Sequence, residues 1–270
     1  MQKNYVIGFP RIGEKRELKK VLEKYWAKQT DFNEVKYVAE QLKKRHWNYQ
    51  KEAKIEFISS NDFSYYDNML DTSILLGAIP KRFESLKDEE LYFTMARGNE
   101  TCVAMEMTKW FNTNYHYIVP EISKNTKFNL NSKKVISEYN EAKQMGIDTK
   151  INLIGPITYL GLSKSVDNSD VFLHINSVVE VYKKLLLESI DKIGYINCIF
   201  DEPLFVKDLD SKVLSLIKPV YDALAKSVSN IKIVVTTYFE HSNEATKVLV
   251  NTPIWAIGLD FIHGNKNLEI

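Results

Sequence analysis

Cysteine is scarce in this chain: Cys102 and Cys198 are the only two among 270 residues, they lie far apart, and they form no C-x-x-C pair. That argues against a disulfide framework and a cysteine-rich zinc knuckle, and it fits a reducing, cytoplasmic setting. No apolar run approaches the roughly eighteen residues of a membrane span. Residues 1–7 are too polar and too short for a signal peptide. A soluble protein with no membrane partner is expected. Net charge is nearly absent as well. Lys and Arg number 36 against 35 Asp and Glu, a formal charge of +1. No bulk field therefore favours nucleic acid, and any anion site must be local. The chain also lacks a G-x-G-x-x-G, a Walker loop, an H-E-x-x-H, internal repeats and Gly/Ser linkers. One domain over residues 1–270 is expected.

What is present is an alternation. With 44% hydrophobic and 26% charged residues the chain can bury a large core. Short β-branched or apolar runs recur between segments of helical periodicity. Strands are expected at 5–8, 55–59, 115–119, 150–154, 195–200, 231–236 and 254–262. Leu18, Val21, Leu22, Tyr25 and Trp26 mark the first helix, and Asp31 with Glu34 suits a capping box for the second. A long excursion over 81–114 precedes the third strand. Pro219 suggests that the helical stretch near 210–228 is two pieces. Parallel strands each followed by a helix close into a barrel at eight. The expected fold class is therefore α/β, a (β/α)8 TIM-type barrel that is incomplete, with seven of its eight strands and no final unit. An open doubly wound sheet is the alternative.

In such a barrel the chemistry sits where strands end, so the residues after each strand are the candidates. After the first comes Gly8-Phe9-Pro10-Arg11-Ile12-Gly13, then a helix opening with Lys15, Arg16, Lys19 and Lys20. Helix starts expose unpaired N–H groups, so added cations suit carboxylates or phosphates, although a solvated basic face would look the same. Asp62, Glu121 and the pair Asp201-Glu202 place carboxylates at strand ends expected to share one cavity. Paired acids invite a glycosidase reading, and a structural ion pair is the plainer one. The segment 107–117 combines Lys109, Asn112, Asn114 and His116 with aromatics, which could bind a flat polar ring or simply pack as a hairpin. The five histidines supply no convincing set of three or four metal ligands.

Taken together, Gly8-Phe9-Pro10-Arg11-Ile12-Gly13 with Arg16-Glu17-Leu18-Lys19, the stretch 106–117 and Asp201-Glu202-Pro203 resemble the cobalamin-independent methionine synthase family. Asn61-Asp62-Phe63, Leu153-Ile154-Gly155-Pro156 and Thr236-Thr237-Tyr238-Phe239 extend the resemblance over essentially the whole chain. It implies the first of two similar βα barrels, in a polypeptide that moves a methyl group from 5-methyltetrahydrofolate polyglutamate to homocysteine. It further implies that Arg16, Glu17, Leu18 and Lys19 contact the folate tail and that Lys109 adds another contact. Asn112, Asn114, His116, Asp62, Asp201 and Glu202 remain candidate cavity-lining residues. No catalytic residue or metal ligand is expected here, because the family's zinc and its ligands belong to the second, C-terminal barrel, the expected partner. The isolated chain is then inactive as a methyltransferase. Two other outcomes stay open: a truncated fragment with weak or no folate binding, and a barrel glycosidase using Asp201 or Glu202.

Overall fold

The computed structural model describes residues 4–269. Helix α1 (Glu17–Trp26) buries Leu18, Val21 and Leu22 along one face. It packs on α2 (Phe32–Glu52), whose first turn is capped by Asp31 accepting from the N–H groups of Asn33 and Glu34 at 3.0 and 3.1 Å. There follow β1 (Ser59–Ser60), α3 (Asn68–Leu75), α4 (Asp88–Arg97), β2 (Met107–Lys109), β3 (His116–Ile118), β4 (Glu121–Ile122) and α5 (Lys133–Gln144). The second half alternates: β5 (Lys150–Ile154), α6 (Pro156–Gly161), β6 (Lys164–Ser165), α7 (Ile175–Ile193), β7 (Ile196–Asp201), α8 (Ser211–Ala225), β8 (Ile231–Thr236), α9 (Asn243–Leu249) and β9 (Ala256–Gly258).

Five strands form one parallel sheet in the order β1-β5-β7-β8-β9. Tyr5 adds an isolated parallel bridge to Phe57, just ahead of β1. The expected seven strands are thus five with a bridge. Residues 5–8 make that bridge rather than a named strand. The run at 115–119 is a strand but not a barrel strand: β3 pairs antiparallel with β2, outside the parallel sheet. Alternation along a chain reports a half-buried strand and not which neighbour it pairs with. The excursion over 81–114 holds α4 and β2 rather than bare loop. Pro219 lies inside a single continuous helix, α8, not between two pieces.

Strand alternation divides the sheet into two faces. Ile151, Leu153, Cys198, Phe200, Ile233 and Val235 are buried in the main core, together with Val178, Tyr182, Leu185, Ile217 and Tyr221 from α7 and α8. The intervening positions are mixed: Lys150, Asn152 and Ile154 on β5, Asn197, Ile199 and Asp201 on β7, Lys232, Val234 and Thr236 on β8. A second core joins α1, α2 and α4 to Met105 and Ile118. Asp67 couples the parts. It caps α3 by accepting from Met69 and Leu70 N–H, and its other oxygen accepts from Ile118 N–H of β3. Burial nevertheless pushes its carboxyl up to about 7.

Candidate functional site

The register aligns the strand ends: Ile154 pairs with Asp201, Asp201 with Thr236 and Thr236 with Gly258. Asp201 therefore stands on the last rung of the sheet, on its mixed face. The Thr236 hydroxyl donates to its Oδ1 at 2.5 Å. Burial drives the Asp201 carboxyl up to about 6, against that hydrogen bond and the nearby Lys150 charge. Asp62 ends the neighbouring strand segment and holds the first loop by accepting from Phe9 N–H at 2.9 Å. Its carboxyl is also raised, chiefly by burial. Below them Lys150 donates to Ser59 Oγ at 2.5 Å and Asn152 Oδ1 at 2.9 Å. Burial pulls this ammonium down to about 8.

Glu202 follows Asp201 immediately and does something else. Its side chain accepts from the N–H groups of Ile157 (3.1 Å) and Thr158 (2.6 Å) at the start of α6, and from the Tyr221 hydroxyl (2.7 Å). Gly155 permits this, since a Cβ there would overlap the Glu202 carboxyl. Glu202 is fully buried, and burial raises it to about 7. A group so fastened does not protonate a glycosidic oxygen, so Asp201 and Glu202 do not act as a pair of glycosidase acids.

A cavity of about 990 Å³ opens at the strand ends and runs outward between α2, α3 and α5. Asp62 and Asp201 line its inner part, with Asn61, Asn152 and Tyr238. Farther along, Lys134 joins Asn61 Oδ1 (2.8 Å), Glu138 (3.2 Å) and Asp71 (3.4 Å). Glu202 does not line it. Asn112, Asn114 and His116 do not either: all three are exposed at the β2–β3 hairpin, where His116 Nδ1 meets Asn114 O at 3.0 Å. Lys150, Lys134, Asp71 and Glu138 escaped the sequence reading. A signal existed for Lys150: polar residues at 150 and 152 alternate with apolar ones in a strand.

The start of α1 is built differently. Gly13 takes φ +82°, and a Cβ there would lie 2.7 Å from Leu42 Cδ2, so only glycine turns the chain here without strain. Arg16 is the N-cap, in the left-handed region at φ 59°, with no side-chain cap bond. Glu17 is occupied: it pairs with Arg45 at 2.7 Å and accepts from Lys15 N–H at 3.0 Å, and the Arg45 hydrogen bond holds its carboxyl below the usual range. Leu18 is fully buried and its N–H donates to Ile12 O at 3.2 Å. Arg16 and Lys19 are exposed; Lys19 meets Glu23 at a loose 3.6 Å. Among the described residues, neither Arg16 nor the exposed Lys109 of β2 has an ion-pair partner. Arg11 links the two places, donating to Tyr66 O and lying 5.8 Å from the centre of the Tyr115 ring in the hairpin.

The residues present do not fit a zinc ion. Among the described residues no three His, Cys, Asp or Glu are grouped to hold a metal. Burial raises the Cys198 thiol, the opposite of what a thiolate ligand needs.

The chain matches, over residues 3–270, the family described as cobalamin-independent synthase, N-terminal domain. It is 54% identical to a 5-methyltetrahydropteroyltriglutamate-homocysteine methyltransferase of Desulforamulus reducens, covering 98% of this chain and 35% of that protein. To methyltransferase 1 of the same name from Oryza sativa subsp. japonica it is 42% identical, over 99% of this chain and 36% of that one. It thus spans about a third of the length of these relatives. Its fold is similar to a B12-independent methionine synthase from Shewanella sp. W3-18-1, solved in complex with selenomethionine: TM-score 0.55, 13% identity, 82% of this chain and 58% of that one. The chain belongs to the N-terminal-domain family of the cobalamin-independent synthases.

Proposed function

We propose that this chain is the folate-binding N-terminal portion of a methyltransferase that carries the methyl group of 5-methyltetrahydrofolate polyglutamate to homocysteine. Its parallel sheet, in this reading, is part of an eight-stranded barrel. The observation that carries the proposal is the pair of exposed cations without ion-pair partners, Arg16 at the start of α1 and Lys109 on the hairpin, on two elements tied together through Arg11. A run of glutamate carboxylates is suited to such a place, because each can accept charge-assisted hydrogen bonds while staying hydrated. Helix α1 adds its partial positive charge, and the Lys19 N–H in its first turn has no backbone acceptor among the described residues.

The roles within 16–19 then differ. Arg16 and Lys19 supply charge. Leu18, buried, supports the turn from within the second core, and Glu17 holds the Lys15 N–H and Arg45, which keeps the loop shaped. Activation of the homocysteine thiol is assigned to the zinc of the C-terminal barrel, since zinc lowers a thiol's pKa and steers its sulfur. Calorimetric titration of the chain with the triglutamate and the monoglutamate of 5-methyltetrahydrofolate tests the proposal. Tighter binding of the triglutamate is expected; equal binding of both forms, or none, would remove the tail site.

A further inference from the structure

Among the described residues nine besides glycine take a positive φ, and two of them, Phe111 (53°) and Phe239 (91°), are aromatic. Bulky side chains are disfavoured in that region, where glycine sits without strain. The two lie far apart in sequence, yet their ring centres are 5.3 Å apart at an interplanar angle of 38°. Phe111 takes the first central position of the β-turn at the tip of the β2–β3 hairpin, closed by Thr113 N–H donating to Trp110 O at 3.1 Å. A positive φ there marks a mirror-image hairpin turn, the usual place of Gly, Asn or Asp. Phe239 lies three residues beyond the end of β8. Neither backbone site favours an aromatic residue; the contact between the rings accounts for both.

Other groups gather at this contact. Lys207, in the loop after β7, lies 5.1 Å from the centre of the Phe111 ring. Trp110 meets Phe111 edge-on at 5.3 Å, and Tyr238 meets Phe239 edge-on at 4.8 Å. The hairpin tip is thus fixed to the loops that follow two strands of the parallel sheet. Two residues ahead of Phe111 stands Lys109, exposed and without an ion-pair partner among the described residues. A ligand that engages a lysine must immobilise it, and a backbone already held in place lowers that cost. We propose that Phe111 and Phe239 are positioning residues, which hold the hairpin against the strand ends and so set Lys109 for the folate tail. The assignment rests on the tail site proposed above.

Amide hydrogen exchange and calorimetric titration with the triglutamate and monoglutamate of 5-methyltetrahydrofolate test this on Phe239→Gly, Lys109→Ala and the double variant. Glycine suits the backbone at 239 and removes only the ring. In Phe239→Gly the Trp110 and Thr113 amides should exchange about tenfold faster, with those of β7 and β8 unchanged. Triglutamate binding should weaken about fivefold and monoglutamate binding stay within about twofold. In the Lys109→Ala background the same substitution should weaken the triglutamate no further. Phe239→Tyr, which keeps the ring, should behave as the wild type. Unchanged exchange in Phe239→Gly, or a triglutamate loss that persists in the Lys109→Ala background, would overturn the positioning role and leave the tail site standing. Equal binding of both folates by the wild type would instead remove the tail site, and the role with it. If Phe239→Gly fails to fold by circular dichroism, Phe111→Leu takes its place, with the same expected and overturning results.

Discussion

The strand-end cavity and the start of α1 are the two regions of this molecule where charge accumulates, and they do so with opposite sign and opposite exposure. In the cavity, burial raises the carboxyls of Asp62 and Asp201; at α1, Arg16 and Lys19 stand in solvent. Position after a strand thus does not by itself make a substrate site. A polyanionic tail would be repelled by the first region and drawn to the second, so the strand-end cavity and the proposed tail site are separate places. The same contrast recurs between neighbours, with Asp201 open to the cavity and Glu202 consumed in holding α6.

The largest expected effect comes from breaking that second contrast. Glu202→Ala should cost about 3 kcal/mol, because it strands two buried N–H groups and the Tyr221 hydroxyl. Asp201→Asn, similar in shape and with one hydrogen bond at stake, should cost less than about 1 kcal/mol. Urea midpoints compare the two, and equal losses would mean that both acids are structural. Next, Gly13→Ala should cost about 2 kcal/mol, from a positive φ and a Cβ crowding Leu42. It should weaken triglutamate binding as well, since the turn it disturbs carries Arg16; a stability loss without a binding loss would uncouple the turn from the tail site. Arg16→Ala should weaken the triglutamate about tenfold while leaving the monoglutamate within about twofold.

A further effect is one of pH. Asp201 has a folded pKa of about 6, above the ordinary carboxylate value. Between about 4 and 6 the folded state therefore holds a proton that the unfolded state has lost, so this group's contribution to stability falls as pH rises through that window. Urea midpoints of the wild type and Asp201→Asn, measured from pH 4 to 7, should converge on going up; parallel curves would show an ordinary, solvated carboxylate. Lys150 works the other way: with its ammonium lowered to about 8, stability should gain from it as pH rises between about 8 and 10.

Much of the fold was legible because burial enforces pattern. Strands at Lys150–Ile154 and Ile231–Thr236 and the capping role of Asp31 stand where alternation and cap chemistry put them. The run at 115–119 was expected to join the parallel sheet and instead pairs antiparallel with β2, as the hairpin alternative for 107–117 allowed, because its pattern carries no record of its partner. The carboxylates at 62, 201 and 202 were recognisable as strand-end residues, yet only the folded chain separates the two that line the cavity from the one fixed by α6. Lys134, Asp71 and Glu138 left no signal, since they lie on helices where polar residues are common and meet only through packing.

Measuring triglutamate affinity side by side for Arg16→Ala and Asp201→Asn tests the separation of the two charged regions most directly. Separate places predict that Arg16→Ala weakens the triglutamate and Asp201→Asn leaves it unchanged. A loss of triglutamate binding in Asp201→Asn as large as that in Arg16→Ala would contradict it, and would place the folate tail in the cavity.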